Sequence, residues 1–190
     1  NGTKVGAETR INTTATSNDQ AEPSMTLLRD GSYVIAWHDA ATGHSFFQRF
    51  SSSGSKLGGE VRMNTGSEAE DPIITALAGG GFVATWQREN LSSGYDLYQQ
   101  RFDAAGNKLG SETRVNTTIS GDQESQQVMG LSGGGYVVIW ESIGQDGSGL
   151  GLYSQRFAAD GSKLGGETRI NTTTASDQHD AAITALKNGG

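Results

Sequence analysis

Leu131–Trp140 reads L-S-G-G-G-Y-V-V-I-W. It holds a strand end, a glycine turn and a second strand that closes on a tryptophan. Glycine admits the positive φ that a tight antiparallel connection needs. Tyr136–Trp140 is apolar on both faces, which calls for burial on both. Two full relatives precede it, Leu28–Trp37 (L-R-D-G-S-Y-V-I-A-W) and Leu77–Trp86 (L-A-G-G-G-F-V-A-T-W). A fourth, Leu186–Gly190 (L-K-N-G-G), stops before its aromatic run.

Working outward, the same columns recur: Lys4, Lys56, Lys108, Lys163; Glu8, Glu60, Glu112, Glu167; Arg10, Arg62, Arg114, Arg169; Asn12, Asn64, Asn116, Asn171. Four columns agreeing on one period of about 50 residues mark a tandem repeat. Each period predicts four strands. Strand A covers Met25–Leu28, Ile73–Leu77, Val128–Leu131 and Ile183–Leu186, with a mostly small penultimate residue suited to a crowded inner position. Strand B covers Tyr33–Trp37, Phe82–Trp86 and Tyr136–Trp140. Strand C alternates, with Phe46, Gln48 and Phe50, Tyr98, Gln100 and Phe102, or Tyr153, Gln155 and Phe157 on one face. Arg49, Arg101 and Arg156 point the other way, toward solvent or a neighbouring unit. Strand D covers Gly59–Asn64, Ser111–Asn116 and Gly166–Asn171, opened by a copy at Ala7–Asn12, and its charge guards an outer edge. The expectation is an all-β, β-propeller-like array of four-stranded antiparallel blades. Its parts are a partial blade 1–12, repeats 13–64, 65–116 and 117–171, and a partial blade 172–190. Blades that bury their aromatics against siblings do not fold alone. The unpaired strands at both ends predict a partner: the chain itself, by homo-oligomerisation or strand exchange, or adjacent repeats of a longer chain.

Composition narrows the function. Apolar content is 34% with 28 glycines in 190 residues, which fits short strands and turns rather than helices. A net charge of −7 with no basic cluster removes the electrostatic drive for nucleic acid. No apolar run reaches the roughly 20 residues a membrane-spanning helix needs, so no insertion is expected. The absence of cysteine excludes disulfides and thiolate chemistry.

Candidate sites lie in the loops. Asp19, Glu68, Asp122 and Asp177 stand ahead of each strand A, with Glu22, Asp71 and Asp180 three positions on. Asp39, Asp96 and Asp146 stand in the B-to-C loops at the same end, which predicts an acidic face. Asp19, Glu68, Asp122, Asp177 and Asp146 are the candidate metal ligands, with Ca2+ the candidate cofactor because it takes several carboxylate oxygens. The alternative is local capping of backbone N–H groups. Asp39, His44, Asp96, Gln145, Asp146 and Ser148 form the candidate ligand loops, since loops of varying length on a rigid scaffold carry binding. Trp37, Trp86 and Trp140 suit sugar stacking, but their place at the end of a doubly apolar strand favours core packing. The recurring arginines suggest pairing with the glutamates of strand D. Asn12, Asn116 and Asn171 open glycosylation sequons, and each also sits where asparagine builds a local turn. No nucleophile elbow or zinc-protease signature is present.

The run N-T-x-x-x-x-D-Q (Asn171–Gln178), G-G-Y-V-V-x-W (Gly134–Trp140), Q-D-G-S-G (Gln145–Gly149) and Y-x-Q-R-F-x-x-x-G-x-K-L-G (Tyr153–Gly165) resembles a tandem repeat of very large secreted or surface proteins of cyanobacteria and proteobacteria. Those repeats often stand beside hemolysin-type calcium-binding modules, whose nonapeptide is absent here. The resemblance implies secretion or surface display and a noncatalytic structural, adhesive or binding module. The alternatives are a lectin-like glycan binder, with or without calcium, and a hydrolase or lyase with carboxylates at a propeller mouth.

Overall fold

The computed structural model describes residues 2–3, 6–13 and 19–186. Twelve strands form three antiparallel sheets of four, each a meander in chain order. Sheet 1 holds β1 (Gln20–Leu27), β2 (Tyr33–Asp39), β3 (His44–Phe50) and β4 (Lys56–Arg62). Sheet 2 holds β5 (Glu70–Ala76), β6 (Phe82–Asn90), β7 (Gly94–Phe102) and β8 (Lys108–Arg114). Sheet 3 holds β9 (Gln123–Gly130), β10 (Tyr136–Ile143), β11 (Leu150–Phe157) and β12 (Lys163–Arg169). There is no helix among the described residues.

The first strands line one side of the stack, β1 against β5 and β5 against β9. Side chains and backbone zip them together. Ser24 Oγ accepts the Ile74 N–H, Thr26 Oγ1 accepts the Ala76 N–H at 2.9 Å, and Thr75 Oγ1 accepts the Gly130 N–H. A Cβ on Gly130 would lie 2.3 Å from the Ala76 carbonyl oxygen, so the small residue expected at this inner position is a steric requirement here. Sheets 1 and 3 do not touch among the described residues, and the stack stays open.

Two aromatic cores fill the two junctions. Between sheets 1 and 2, Phe47 meets Phe82 and Phe102 edge-on, with centroids 5.1 and 5.0 Å away, while Phe82 stacks on Phe102. Leu28, Val34, Met63 and Trp86 complete this core. Between sheets 2 and 3, Leu77, Val83, Leu97 and Val115 pack with Tyr136, Val138, Trp140 and Phe157. All three tryptophans are buried. Of the runs that are apolar on both faces, Phe82–Trp86 in β6, the one second strand with a sheet on each side, is buried at every position, while Tyr33–Trp37 and Tyr136–Trp140 keep half-buried residues. Ile170 stays 47% exposed where its repeat-mates Met63 and Val115 are fully buried, because no further sheet covers it.

The two junctions differ by a matched exchange. Where sheets 1 and 2 set Phe47 against Phe82, sheets 2 and 3 set Gln99 against Tyr136, and the phenol donates to Gln99 Oε1. Burial pushes the Tyr136 hydroxyl well above the ordinary phenol range. Tyr136→Phe strands a buried amide oxygen and should cost about 1–3 kcal/mol. Gln99→Phe with Tyr136→Phe rebuilds the first junction and should recover most of that loss. Urea unfolding of the single and double variants checks this, and additive losses would contradict it.

The charged columns also tie sheets together, but not as expected. Glu60, Glu112 and Glu167 accept backbone N–H groups from Thr13, Thr65 and Thr117, fastening each sheet's outer strand to the linker that leads into it. Glu112 also pairs with Arg88, which lies 3.9 Å over the Tyr98 ring. The arginines of the third strands do not pair with these glutamates. Arg49 and Arg101 donate to the Ala105 and Asp160 carbonyls in the hairpin turn of the next sheet, since that turn lies over their face of the strand. Two further expectations are corrected. Ala7–Asn12 and Ile183–Leu186 form no strand, each lacking a sheet of its own to pair with. The fourth strands also begin and end earlier than the charge pattern suggested.

Candidate active site

The site grows out of one irregularity repeated in every first strand. Pairing shifts register between Ala21 and Ser24, between Glu70 and Ile73, and at the equivalent place in β9. At each bulge a non-glycine residue takes the left-handed conformation: Glu22 (φ 56), Asp71 (φ 47) and Ser125 (φ 52). Asp180, at the same repeat position, has φ 58 although its segment forms no strand. A bulge re-aims a side chain, and residues held in this region of φ cluster at functional sites. Here the bulges swing one polar side chain per repeat toward the junction of the first strands.

Hydrogen bonds from side chain to backbone tie these segments together across the sheets. Glu22 Oε2 accepts the Asp71 N–H at 2.7 Å, and His38 Nδ1 stands 3.8 Å from the same oxygen. Gln126 Nε2 donates to the Asp71 carbonyl at 2.6 Å. Glu141 Oε1 accepts the Asp180 N–H at 2.7 Å. Between sheets 2 and 3 opens a cavity of about 420 Å3, lined by Asp71, Gln87, Ser125, Gln126, Glu141 and Asp180. Burial, with the charge and hydrogen bond of Glu22 and the charge of Glu70, pushes the Asp71 carboxyl up from 3.8 to about 6. Burial raises Glu124 as well, helped by Asp122 and Glu141. A carboxyl that keeps its proton up to about pH 6 beside other carboxylates has the makings of a general acid.

The loop residues picked out by sequence have other work. Asp122 Oδ1 accepts the Tyr95 N–H and Asp177 Oδ1 the Leu150 N–H, both at 3.0 Å, so these acids cap the preceding sheet's loop. Asp19 and Glu68 are exposed, and their carbonyls accept from Ala40 and Arg88. Asp39 is buried and caps its own loop at Ala41. Asp96 accepts from Asn116 at 2.6 Å, His44 sits 3.2 Å from Asn64, and Asp146 accepts from Ser148 at 3.1 Å. Burial, then the Arg62 charge, lowers the His44 pKa. Gln145 bridges Ser142 and Glu167. No three His, Cys, Asp or Glu side chains among the described residues are placed to hold a metal ion, so the calcium set is not brought together. The asparagine of the sequon at Asn116 is buried and bonded to Thr118, which leaves no room for a glycan.

Glu22, Asp71 and Asp180 were visible in the sequence as acids near a strand start. Glu141, Gln126 and Ser125 were missed. Their signals were a column directly after each tryptophan (His38, Gln87, Glu141) and prolines inside two first strands (Pro23, Pro72), since proline in a strand marks an edge or a bulge.

No family model matches the chain, and no curated protein matches it. Solved structures do. An α-L-arabinofuranosidase from Lactobacillus brevis superposes with a TM-score of 0.52 at 9% identity, over 79% of this chain and 53% of that one. A family 117 glycoside hydrolase from the marine bacterium Zobellia galactanivorans gives 0.55 at 12% identity, over 86% and 60%. At such identities the likeness is one of fold. The chain spans 53% and 60% of the lengths of these two proteins. The expectation of a noncatalytic structural or adhesive module is corrected here: the structures this chain resembles are named as glycosidases, and the likeness to them is one of fold.

Proposed function

We propose that this chain builds a β-propeller of the glycoside-hydrolase kind, with the stacked sheets as its blades and the bulged first strands around its axis. The observation that carries the proposal is Asp71: a carboxyl held up to about 6 in a cavity that also holds Glu141 and Asp180. Glycoside hydrolysis uses two carboxyl groups flanking the scissile bond. Asp71 donates its proton to the leaving oxygen as the glycosidic bond breaks. Glu141, only 5% exposed and fixed by the Asp180 N–H, supplies the second carboxylate and takes a proton from the water that bonds to the anomeric carbon as the leaving oxygen departs. Glu22 is a positioning residue, since its charge and hydrogen bond keep the Asp71 proton in place. The fold likeness to two glycosidases supports the same reading.

The test is a panel of aryl pentofuranosides and hexopyranosides in both anomeric series, assayed between pH 5 and 7. Turnover of at least one, lost in Asp71→Asn, is expected. A folded protein that turns over none of them contradicts the proposal.

A further inference from the structure

The outer face of sheet 3 is uncovered among the described residues, and the two filled junctions show what such a face takes. Arg156 repeats the place of Arg49 and Arg101, which donate to carbonyls in the next sheet's turn. Here it is exposed, and it lines a groove of about 760 Å3 with Met129, Leu131, Val137 and Leu164. Leu164 and Ile170 are 48% and 47% exposed on this face. A contiguous apolar groove of this kind marks an interaction surface. The linker after β12 is already seated as the earlier linkers are. Asn171 Oδ1 accepts the Leu152 N–H at 2.9 Å, as Asn116 Oδ1 accepts that of Leu97 at 2.8 Å. Asp177 caps Leu150 as Asp122 caps Tyr95. The Gln178 N–H reaches the Leu150 carbonyl as the Ala69 N–H reaches that of Gly43. Gln178 stands in the column of Gln123, whose Oε1 accepts the Trp140 indole N–H. Asp180 takes the left-handed conformation of the bulge. Five residues on, Ala185 keeps the inner position small, as Ala76 and Gly130 do.

From these observations we infer that the outer face of sheet 3 is the docking surface for a fourth sheet of the same repeat, carried in the same chain and begun by residues 181–186. A second copy of the chain does not fit. Its sheet 1 would put Leu27, 67% exposed, where the inner position demands a small residue. The front of that sheet also carries a linker of its own. Thr9, Ile11 and Asn12 line one pocket with Ile35 and Trp37, and Glu60 already accepts the Thr13 N–H. Ile170 and the Thr172 N–H, which repeat Ile11 and Thr13, would find both places taken. A fourth sheet of the repeat offers a glutamate to Thr172, a turn carbonyl to Arg156 and an indole N–H to Gln178. It would also hold Asp180, which lines the cavity with Glu141, on a paired strand. The inference does not depend on the reaction that cavity carries out.

Joining a copy of Tyr136–Arg169 directly after Gly190 tests this, because Leu186–Gly190 then spaces the new tyrosine as Leu131–Gly135 spaces Tyr136. In the longer chain, amide exchange at residues 183–186 should slow about 100-fold relative to the unmodified chain, as a frayed segment becomes a paired strand. Ala185→Leu and Arg156→Met should each remove most of that protection, while neither lowers the melting temperature of the unmodified chain. Light scattering of the unmodified chain should show a single copy. A dimer that Arg156→Met dissolves gives the face to a second copy and overturns the inference. Protection in neither this graft nor one of Phe82–Arg114 overturns it as well, and so does protection that survives Ala185→Leu.

Discussion

Asp71→Asn should lower kcat/KM for aryl glycoside hydrolysis by about 10²–10⁴-fold, the usual contribution of a general acid. The amide keeps the shape of the side chain and cannot give up a proton. The loss should be smaller for a dinitrophenyl leaving group, which departs without protonation, than for a methyl glycoside. The same variant should be the more stable protein above pH 6. Asp71 binds its proton more tightly folded than unfolded, its pKa rising from 3.8 to about 6, so the native state loses stability as pH climbs through that window. Asn has no such loss. A variant that is inactive, yet gains stability relative to wild type between pH 4 and 6, separates a catalytic carboxyl from a structural one. Equal loss on good and poor leaving groups would remove Asp71 from the role of acid.

Phe82→Ala should cost about 3–5 kcal/mol, a large share of the roughly 5–15 kcal/mol that holds a domain folded. Phe82 is fully buried, stacked on Phe102 and edge-on to Phe47, and it belongs to both its own sheet and the junction with sheet 1. The cavity it leaves opens between sheets, where few backbone hydrogen bonds cross to hold them. Unfolding should therefore spread to sheet 1, seen as lost amide protection in β2 and β3 as well as β6. Protection lost in sheet 2 alone would mean that the sheets fold independently.

The fold was legible because its causes are local and repeated. Glycine turns and the runs ending at Trp37, Trp86 and Trp140 mark the second strands, and alternation marks the third. What the sequence did not disclose was which acid column faces the junction of the first strands. Asp19, Glu68, Asp122 and Asp177 lie three residues from Glu22, Asp71, Ser125 and Asp180, and an unbroken strand would offer no reason to prefer either set. The bulge decides, by turning the second set inward and leaving the first to cap loops. Arg49 and Arg101 misled for a related reason. Pairing rules within a sheet point to a neighbouring glutamate, while the nearest acceptors belong to the next sheet's turn. Glu141 was hidden behind a tryptophan column for which core packing was favoured over sugar stacking.

Everything functional rests on one proton at the junction of the first strands. Carboxyl-carbon NMR of protein labelled in aspartate, titrated from pH 3 to pH 8, reads it without a substrate. The account predicts a midpoint of about 6 for Asp71 that falls toward 3.8 in Glu22→Gln. A midpoint near 3.8 in the wild type would contradict it.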